Sequence, residues 1–446
     1  MRIDPWGSSQ YQDYARLRDE FGIEPFTEDH LEGFPDPPAL LRRGVVFGHR
    51  GFGLVRDAVR GGDPWGVMTG LMPSGRMHFG HKMVIDQVIY YQQKCGADVH
   101  IGIADFEAYA TRGLSIEKAR KLAIEEYVKT YLALGLTPDK GEIYFQTTRS
   151  RVKDLAYEAG LKVNLSEMRA IYGFDDSTSL AHINAPLIQA GDILHIQREE
   201  FGGPRPTLVP VGVDQDPHIR LTRGIAQSLR LYSVKKTEDG RHGVFLKTGD
   251  AWKDKEKALL DAAEATLKKL GFADLERNDP YRAIYVKGAS SRDLTQIDLA
   301  LAKTEPRRGG HGFVPPSSSY HRFLTGLDGG KMSSSRENSA IFLSDDLEDA
   351  KKKIGRAKTG GRQSAEEQRR LGADPDACSI YEMYLYHLMD SDQELLEYYK
   401  GCKSGELLCG QCKGRAKDLI EVKLGGLQER KAAVTDAEIK EVLSED

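Results

Sequence analysis

Between residues 63 and 230, short apolar runs bounded by turn residues alternate with longer stretches of helical periodicity. Gly66-Val67-Met68-Thr69-Gly70 reads as a buried strand, followed by a turn and a helix that begins near His78. A second strand, Ala97 to Ala104, precedes an amphipathic helix from Ser115 to Leu134. Ser115 suits the N-cap of that helix and Glu117 its first turn, where the helix dipole favours an acid. Gly141 to Gln146 gives a third strand. Thr207 to Gly212 gives a fourth, which runs through Val213-Asp214-Gln215-Asp216-Pro217 into another helix. Strands and helices alternating at this spacing predict an α/β fold built on a parallel sheet. Ligands of such sheets sit beyond the carboxyl ends of the strands, so the strand-to-helix turns are where chemistry is expected.

The pattern changes on either side of this region. Residues 1–62 form a polar, loop-rich N-terminal extension with one basic-apolar stretch, Leu41-Arg42-Arg43-Gly44-Val45-Val46-Phe47. Residues 231–315 break the alternation with a lysine-rich helix (Lys253 to Leu270), a strand (Tyr281 to Val286) and a loop (Arg307 to Ser319). We read them as an insertion within a catalytic domain spanning 63–344. From residue 345 to 446 the periodicity is almost wholly helical, which predicts an all-α C-terminal domain.

Composition narrows the class. With 446 residues, 40% hydrophobic and 29% charged, the chain is a multidomain globular protein. No apolar run approaches the roughly 20 residues of a membrane span, and Asp4 with no apolar segment behind it argues against a secretory signal. The net charge of −4 excludes coating of nucleic acid by bulk charge but leaves room for a local basic patch. Five cysteines, an odd number crowded toward the C-terminus, point to a reducing compartment, and so to the cytoplasm.

Two motifs carry chemistry. In Pro73-Ser74-Gly75-Arg76-Met77-His78-Phe79-Gly80-His81, a turn after a strand opens a helix, so backbone N–H groups and the positive end of a dipole face the turn. Gly80 leaves room for a flat base, and His78 and His81 share a helical face from which both can donate to phosphate oxygens. A zinc pair or a buried histidine at a helix start is the plainer alternative. The second motif, Gly329-Gly330-Lys331-Met332-Ser333-Ser334-Ser335, joins a flexible loop, a point charge and short hydroxyl donors, a combination suited to gripping a pyrophosphate that must later leave. It is not a P-loop, because Thr325 stands where the first glycine belongs and Met332 follows the lysine. As a bare string it also fits a solvated surface loop.

Together the two motifs resemble the paired signatures of the class I aminoacyl-tRNA synthetases, here in the forms HFGH and KMSSS. Gly212-Val213-Asp214-Gln215-Asp216-Pro217 is similar to the corresponding segment of the tryptophanyl branch, archaeal and eukaryotic type; tyrosyl enzymes resemble it only as far as Asp-Gln. Ile3-Asp4-Pro5-Trp6, Leu41 to Gly44, Phe174 to Asp176, Pro186 to Ala190, Ser404-Gly405 and Cys412-Lys413 extend the resemblance over most of the chain.

The resemblance implies a Rossmann-like catalytic domain, a helical anticodon-binding domain and a homodimer. It implies activation of L-tryptophan with ATP and Mg2+, then transfer to the 3′ end of tRNA(Trp), with neither membrane nor DNA as a partner. It assigns His78, His81 and Lys331 to catalysis, and Gly70, Pro73, Ser74, Gly80, Asp214, Met332, Ser333 and Ser334 to ATP. It places Glu107, Gln189 and Gln215 at the tryptophan α-groups and indole N–H. Met68, Leu71 and Gly102 depart from the eukaryotic pattern at the two pockets. The cations Lys351 to Lys353, Arg356, Lys358 and Arg362 suit either tRNA phosphates or a solvated helix face. Cys378, Cys402, Cys409 and Cys412 have metal-capable spacing, and some members of the family carry a similar set on an iron–sulfur cluster. Four-cysteine zinc and four unligated thiols are the alternatives. A tyrosyl enzyme, and a catalytically silent tRNA-binding paralogue, remain the competing functions.

Overall fold

The computed structural model describes residues 14–247, 250–330, 332–333 and 336–445. Lys331, Ser334 and the Ile3 to Trp6 segment lie outside the described residues. The strands are β1 (Glu24–Pro25), β2 (Val46–Arg50), β3 (Gly66–Leu71), β4 (Asp98–Ile103), β5 (Gly141–Phe145) and β6 (Thr207–Gly212). They continue as β7 (Tyr232–Lys236), β8 (His242–Leu246), β9 (Leu275–Asn278), β10 (Ala283–Val286) and β11 (Ser317–His321).

One sheet is seven-stranded, in the order β1-β2-β11-β6-β3-β4-β5. From β11 to β5 every pairing is parallel, whereas β2 and β1 add antiparallel at the β11 side. Val67, Val99, Ile101 and Ile103 are buried, as expected of parallel strands covered on both faces. The alternation read from the sequence therefore gives the right class, an α/β fold on a mostly parallel sheet. The Arg307 to Ser319 loop is a correction: its end begins β11, an interior strand. Ser317-Ser318-Ser319 looks like a loop by composition, but these small side chains are buried at the centre of the sheet.

Helix Phe79–Cys95 begins where expected, with His78 as its N-cap. Ser115 caps the next long helix by accepting from the Lys118 N–H at 3.3 Å. That helix runs from Ile116 to Leu134 and loosens to a π-helical turn over Ala123–Val128. Residues 232–302 build a second, four-stranded antiparallel sheet, β7-β8-β10-β9, covered by helices Glu256–Lys269 and Ser291–Ala302. Tyr232, Val244, Leu259, Leu267, Ile284 and Ile297 give it an apolar core of its own. Helix Asp216–Ser228 leaves the carboxyl end of β6 and β11 returns parallel to β6, so this sheet is rooted at the opposite pole from the strand carboxyl ends.

After Leu347 the regular elements are helices. Ile380, Met383, Ile420, Leu424, Leu427, Ile439 and Val442 pack into the same apolar cluster as Val67 and Ile101, so the helical region and the sheet share a core. The Leu41-Arg42-Arg43-Gly44 stretch has a structural task there. Arg43 Nε lies 2.7 Å from Asp392 Oδ1 and its Nη1 donates to the Leu385 carbonyl at 2.7 Å, while Arg42 pairs with the same carboxylate.

Candidate active site

A cleft opens over the carboxyl ends of β3, β4, β6 and β11, with a cavity of about 930 Å3. Gly70, Ser74, His78, Gly80, His81, Glu107, Gln189, Asp214, Gln215, Met332 and Ser333 all line it. Pro73 does not; it turns the chain just outside the wall. The separate sequence motifs thus converge on one cavity: the histidine turn and the Asp214-Gln215 segment each follow a strand into a helix, while Met332 and Ser333 reach it from the loop after β11 and Gln189 from helix Leu180–His195.

At one end lies the histidine turn. The Gly80 N–H donates to His78 Nδ1 at 3.1 Å, and the His78 N–H donates to His81 Nδ1 at 3.2 Å. Both rings therefore carry an acceptor at Nδ1, and a neutral ring then holds its proton on Nε2. The rings stack with centroids 4.0 Å apart. Burial pushes His81 down to about 4, so it stays neutral at physiological pH. Tyr127 braces the turn by donating to the Gly75 carbonyl at 2.9 Å. Arg76 ties it to the segment that leads into helix Leu347–Arg356, donating to Ser344 Oγ at 3.1 Å and Asp345 Oδ1 at 2.7 Å.

The loop carrying the second motif is anchored at both ends. Met332 is buried in the main core, and its N–H donates to the Leu324 carbonyl at 3.1 Å. Its side chain therefore acts first as a hydrophobic pin, although it also touches the cavity. Arg336 meets Asp328 at 2.7 Å, and the Thr325 N–H reaches Glu382 of the helical region at 3.2 Å.

In the Asp-Gln-Asp-Pro run the residues divide. Asp214 and Gln215 face the cavity, and Gln215 accepts from Gln189 Nε2 at 3.3 Å. Asp216 is fully buried away from it, bound by Arg50 Nε at 2.6 Å and by Tyr320 Oη at 2.5 Å. That carboxylate locks β2 and β11 to the start of helix Asp216–Ser228.

At the other end of the cavity the structure adds residues absent from the sequence reading. Asp192, on helix Leu180–His195, lines the cavity and accepts from Tyr144 Oη at 2.9 Å and from Gln146 Nε2 at 2.5 Å. Burial raises its carboxyl to about 7, against the lowering by those two hydrogen bonds, and the Glu107 and Asp105 charges push the same way as burial. Gln146 also lines the cavity, and its Oε1 is buried with no hydrogen-bond partner among the described residues. Met68 and Gly102 belong to this arrangement. A Cβ at Gly102 would stand 2.9 Å from Tyr144 Oη, so glycine there leaves the phenol its place, and Met68 covers it with an apolar wall. An aspartate three residues after Gln189 in a mostly apolar helical stretch, Ile188 to Ile193, was the one sequence signal available.

The four C-terminal cysteines line one small cavity of about 20 Å3. Burial pushes the Cys402 thiol up to about 11 and that of Cys412 to about 12, and the neighbouring cysteines add to both. Among the described residues no three His, Cys, Asp or Glu side chains are gathered into a cage for a metal ion. Lys351 lies 2.8 Å from Glu421, Lys352 2.9 Å from Asp349 and Lys353 2.7 Å from Asp345, so these lysines are engaged within the protein.

Among the described residues no helix is long and apolar enough to cross a membrane. A family model described as tRNA synthetases class I (W and Y) matches residues 61–242 and 296–424. The chain is 44% identical over 434 residues to a tryptophan–tRNA ligase of Methanosarcina acetivorans, covering 96% of both. It is 45% identical to that of Archaeoglobus fulgidus over 97% of this chain and 98% of the relative. Its structure resembles the crystal structure of tryptophanyl-tRNA synthetase from Aeropyrum pernix, with a TM-score of 0.75, 38% identity and full coverage of both chains.

Proposed function

The chain belongs to the class I tRNA synthetases of the tryptophan and tyrosine group and is a ligase that activates tryptophan with ATP and charges tRNA with it; we propose that the work is divided between the two ends of the cleft. The observation that carries this division is one cavity with polar groups of opposite kind at its ends. Two imidazoles whose Nδ1 atoms are held by backbone donors lie at one end. The buried acceptors Asp192 and Gln146 lie at the other.

ATP occupies the histidine end. His78 and His81 present Nε2–H donors to the phosphates, Gly70, Ser74 and Gly80 form the adenosine wall, and Asp214 approaches the ribose. Lys331 and the serines of its loop close on the phosphates being displaced. The tryptophan carboxylate attacks the α-phosphorus in line and pyrophosphate leaves. Positioning and fixed charge then supply most of the acceleration. Magnesium, when bound, neutralises phosphate charge.

Tryptophan occupies the other end. Glu107, Gln189 and Gln215 take the α-groups, and Asp192, held by Tyr144 and Gln146, accepts the indole N–H. A site with a buried acceptor rejects a phenylalanine ring by a large factor, because the acceptor is then left unpaired.

Five further readings complete the proposal. Residues 231–315 are an insertion between 63 and 344, supported by their separate core and by the family match passing over 243–295. The helical region 345–446 meets the anticodon stem. A homodimer is supported by large apolar side chains left exposed on neighbouring helices, with Tyr157 at 84%, Leu180 at 82% and Leu161 at 77%. A cytoplasmic site of action follows from the role in translation. The four cysteines supply the donor set of an iron–sulfur cluster or a zinc ion, with side-chain rotation needed to close the cage. Metal, sulfide and visible-absorption analysis of protein prepared without air distinguishes the two; a colourless, metal-free preparation removes both.

The deciding experiment is amino-acid-dependent ATP–pyrophosphate exchange with all twenty amino acids. Tryptophan alone should support exchange. Exchange with tyrosine would overturn the pocket assignment, and exchange with none in a preparation that binds tRNA would indicate a silent paralogue.

A further inference from the structure

β5 is the outer strand of the large sheet, and an uncovered edge strand exposes unpaired backbone groups. Here the edge is covered by the segment after helix Asp436–Val442. Leu443 forms a parallel bridge with Ile143, and the Ser444 N–H donates to the Ile143 carbonyl at 2.8 Å. Ile439 and Val442 bury in the main core and fix the approach of this segment.

The segment does more than cap an edge. Ser444 Oγ accepts from Arg149 Nη2 at 2.8 Å. The Arg149 side chain is 2% exposed, and the same Nη2 meets Glu142 Oε2 at 2.9 Å. Its guanidinium lies 4.5 Å from the centroid of the Tyr144 ring, in cation–π contact. Tyr144 is fully buried and donates to Asp192, which faces the cavity. Three consecutive contacts, Ser444 to Arg149, Arg149 to Tyr144 and Tyr144 to Asp192, therefore run from Ser444 to the amino-acid end of the cleft.

We propose that Leu443–Ser444 is a positioning strap for the amino-acid site: by holding Arg149 against the face of Tyr144, it fixes the phenol that orients Asp192. The inference rests on the reading of Asp192 as the indole acceptor. Ser444, Arg149 and Tyr144 are positioning residues, acting through Asp192. The strap ends the helical region, so it gives the part of the chain that meets tRNA a direct mechanical line to the tryptophan pocket.

The test uses the full chain and compares Michaelis constants for tryptophan and for ATP in pyrophosphate exchange. Ser444→Ala should raise the tryptophan KM about threefold, since Glu142 still holds Arg149 and only part of the lost charge-assisted bond is felt at the pocket, with kcat and the ATP KM unchanged. Ser444→Thr, which keeps the hydroxyl, should restore the wild-type value. Ser444→Pro, which also removes the backbone donor, should raise the tryptophan KM about tenfold. Combined with Tyr144→Phe, Ser444→Ala should add nothing beyond Tyr144→Phe alone. A tryptophan KM unmoved by Ser444→Ala and Ser444→Pro, or effects of Ser444→Ala and Tyr144→Phe that simply multiply, would overturn the strap. Asp192→Leu, which is close in size but has no oxygen to accept with, separates the two failures. If it leaves discrimination against phenylalanine intact, the acceptor reading falls and the strap with it. If it abolishes discrimination while the Ser444 variants are silent, the strap alone falls.

Discussion

Asp192 shows how a functional group can work against the stability of its fold. Its carboxyl is raised to about 7 in the folded chain, with burial as the first cause. A carboxyl raised on folding favours the native state at low pH, and that contribution is lost as pH climbs from the unfolded value near 4 through about 7. The anion that best accepts an indole N–H is thus formed at the expense of stability. Two outcomes follow, one in kinetics between pH 6 and 8 and one in stability between pH 4 and 7. The tryptophan KM of the wild type should fall as pH rises, and that of Asp192→Asn should be flat and several-fold higher. Thermal melts should show the wild type losing stability relative to Asp192→Asn over pH 4 to 7. His81, pushed down to about 4, stays neutral across the kinetic window and does not contribute to the titration. Sequence could not single out this aspartate, because its meaning comes from Tyr144 on β5 and Gln146 just after it reaching across to it. No spacing rule connects a strand residue to one 46 or 48 positions later.

The histidine turn is legible in sequence for the opposite reason: strand, turn and helix start lie within one contiguous stretch. Its geometry depends on Gly80. A Cβ there would come within 2.8 Å of His78 Cε1 and 2.9 Å of His78 Nδ1, so any side chain displaces the imidazole from the bond it accepts. Gly80→Ala is a favourable exchange for a helix by propensity, worth up to about 1 kcal/mol. It should therefore leave the melting temperature near that of the wild type while lowering the rate of tryptophanyl-adenylate formation by about 100-fold, the scale of losing an aligned donor in a water-poor site. Single-turnover adenylate formation beside a thermal melt checks both halves; a normal rate would show that His78 need not hold this position. Elements that depend on distant partners were harder to read. β11 looked like a loop because three serines fill a place where the packed sheet leaves room only for small side chains. The second sheet was visible only as a strand near Tyr281: β7 and β9 carry charged residues such as Lys235, Lys236 and Glu276, and β8 is a five-residue run that opens on His242-Gly243.

For the whole molecule, the topology separates activity from the stability of the second sheet. The two chain segments that lead into and out of that sheet are joined by Glu305, which is fully buried. It lies 2.6 Å from Arg230 Nε, and it accepts from the backbone N–H groups of Leu231 at 3.0 Å and Gly312 at 3.1 Å. Removing one partner of a buried ion pair leaves the other charge desolvated, at a cost of about 3–5 kcal/mol. Asp298, 3.0 Å from Arg230, retains part of the pairing and favours the lower end of that range. Glu305→Ala should therefore shift urea unfolding by about 3 kcal/mol. The cleft lies at the other pole of the large sheet, so tryptophan-dependent exchange measured well below the transition should keep its kcat and both Michaelis constants. A loss of exchange under those conditions would mean that the second sheet supports the active site through the large sheet, which its attachment at the amino ends of the strands does not require.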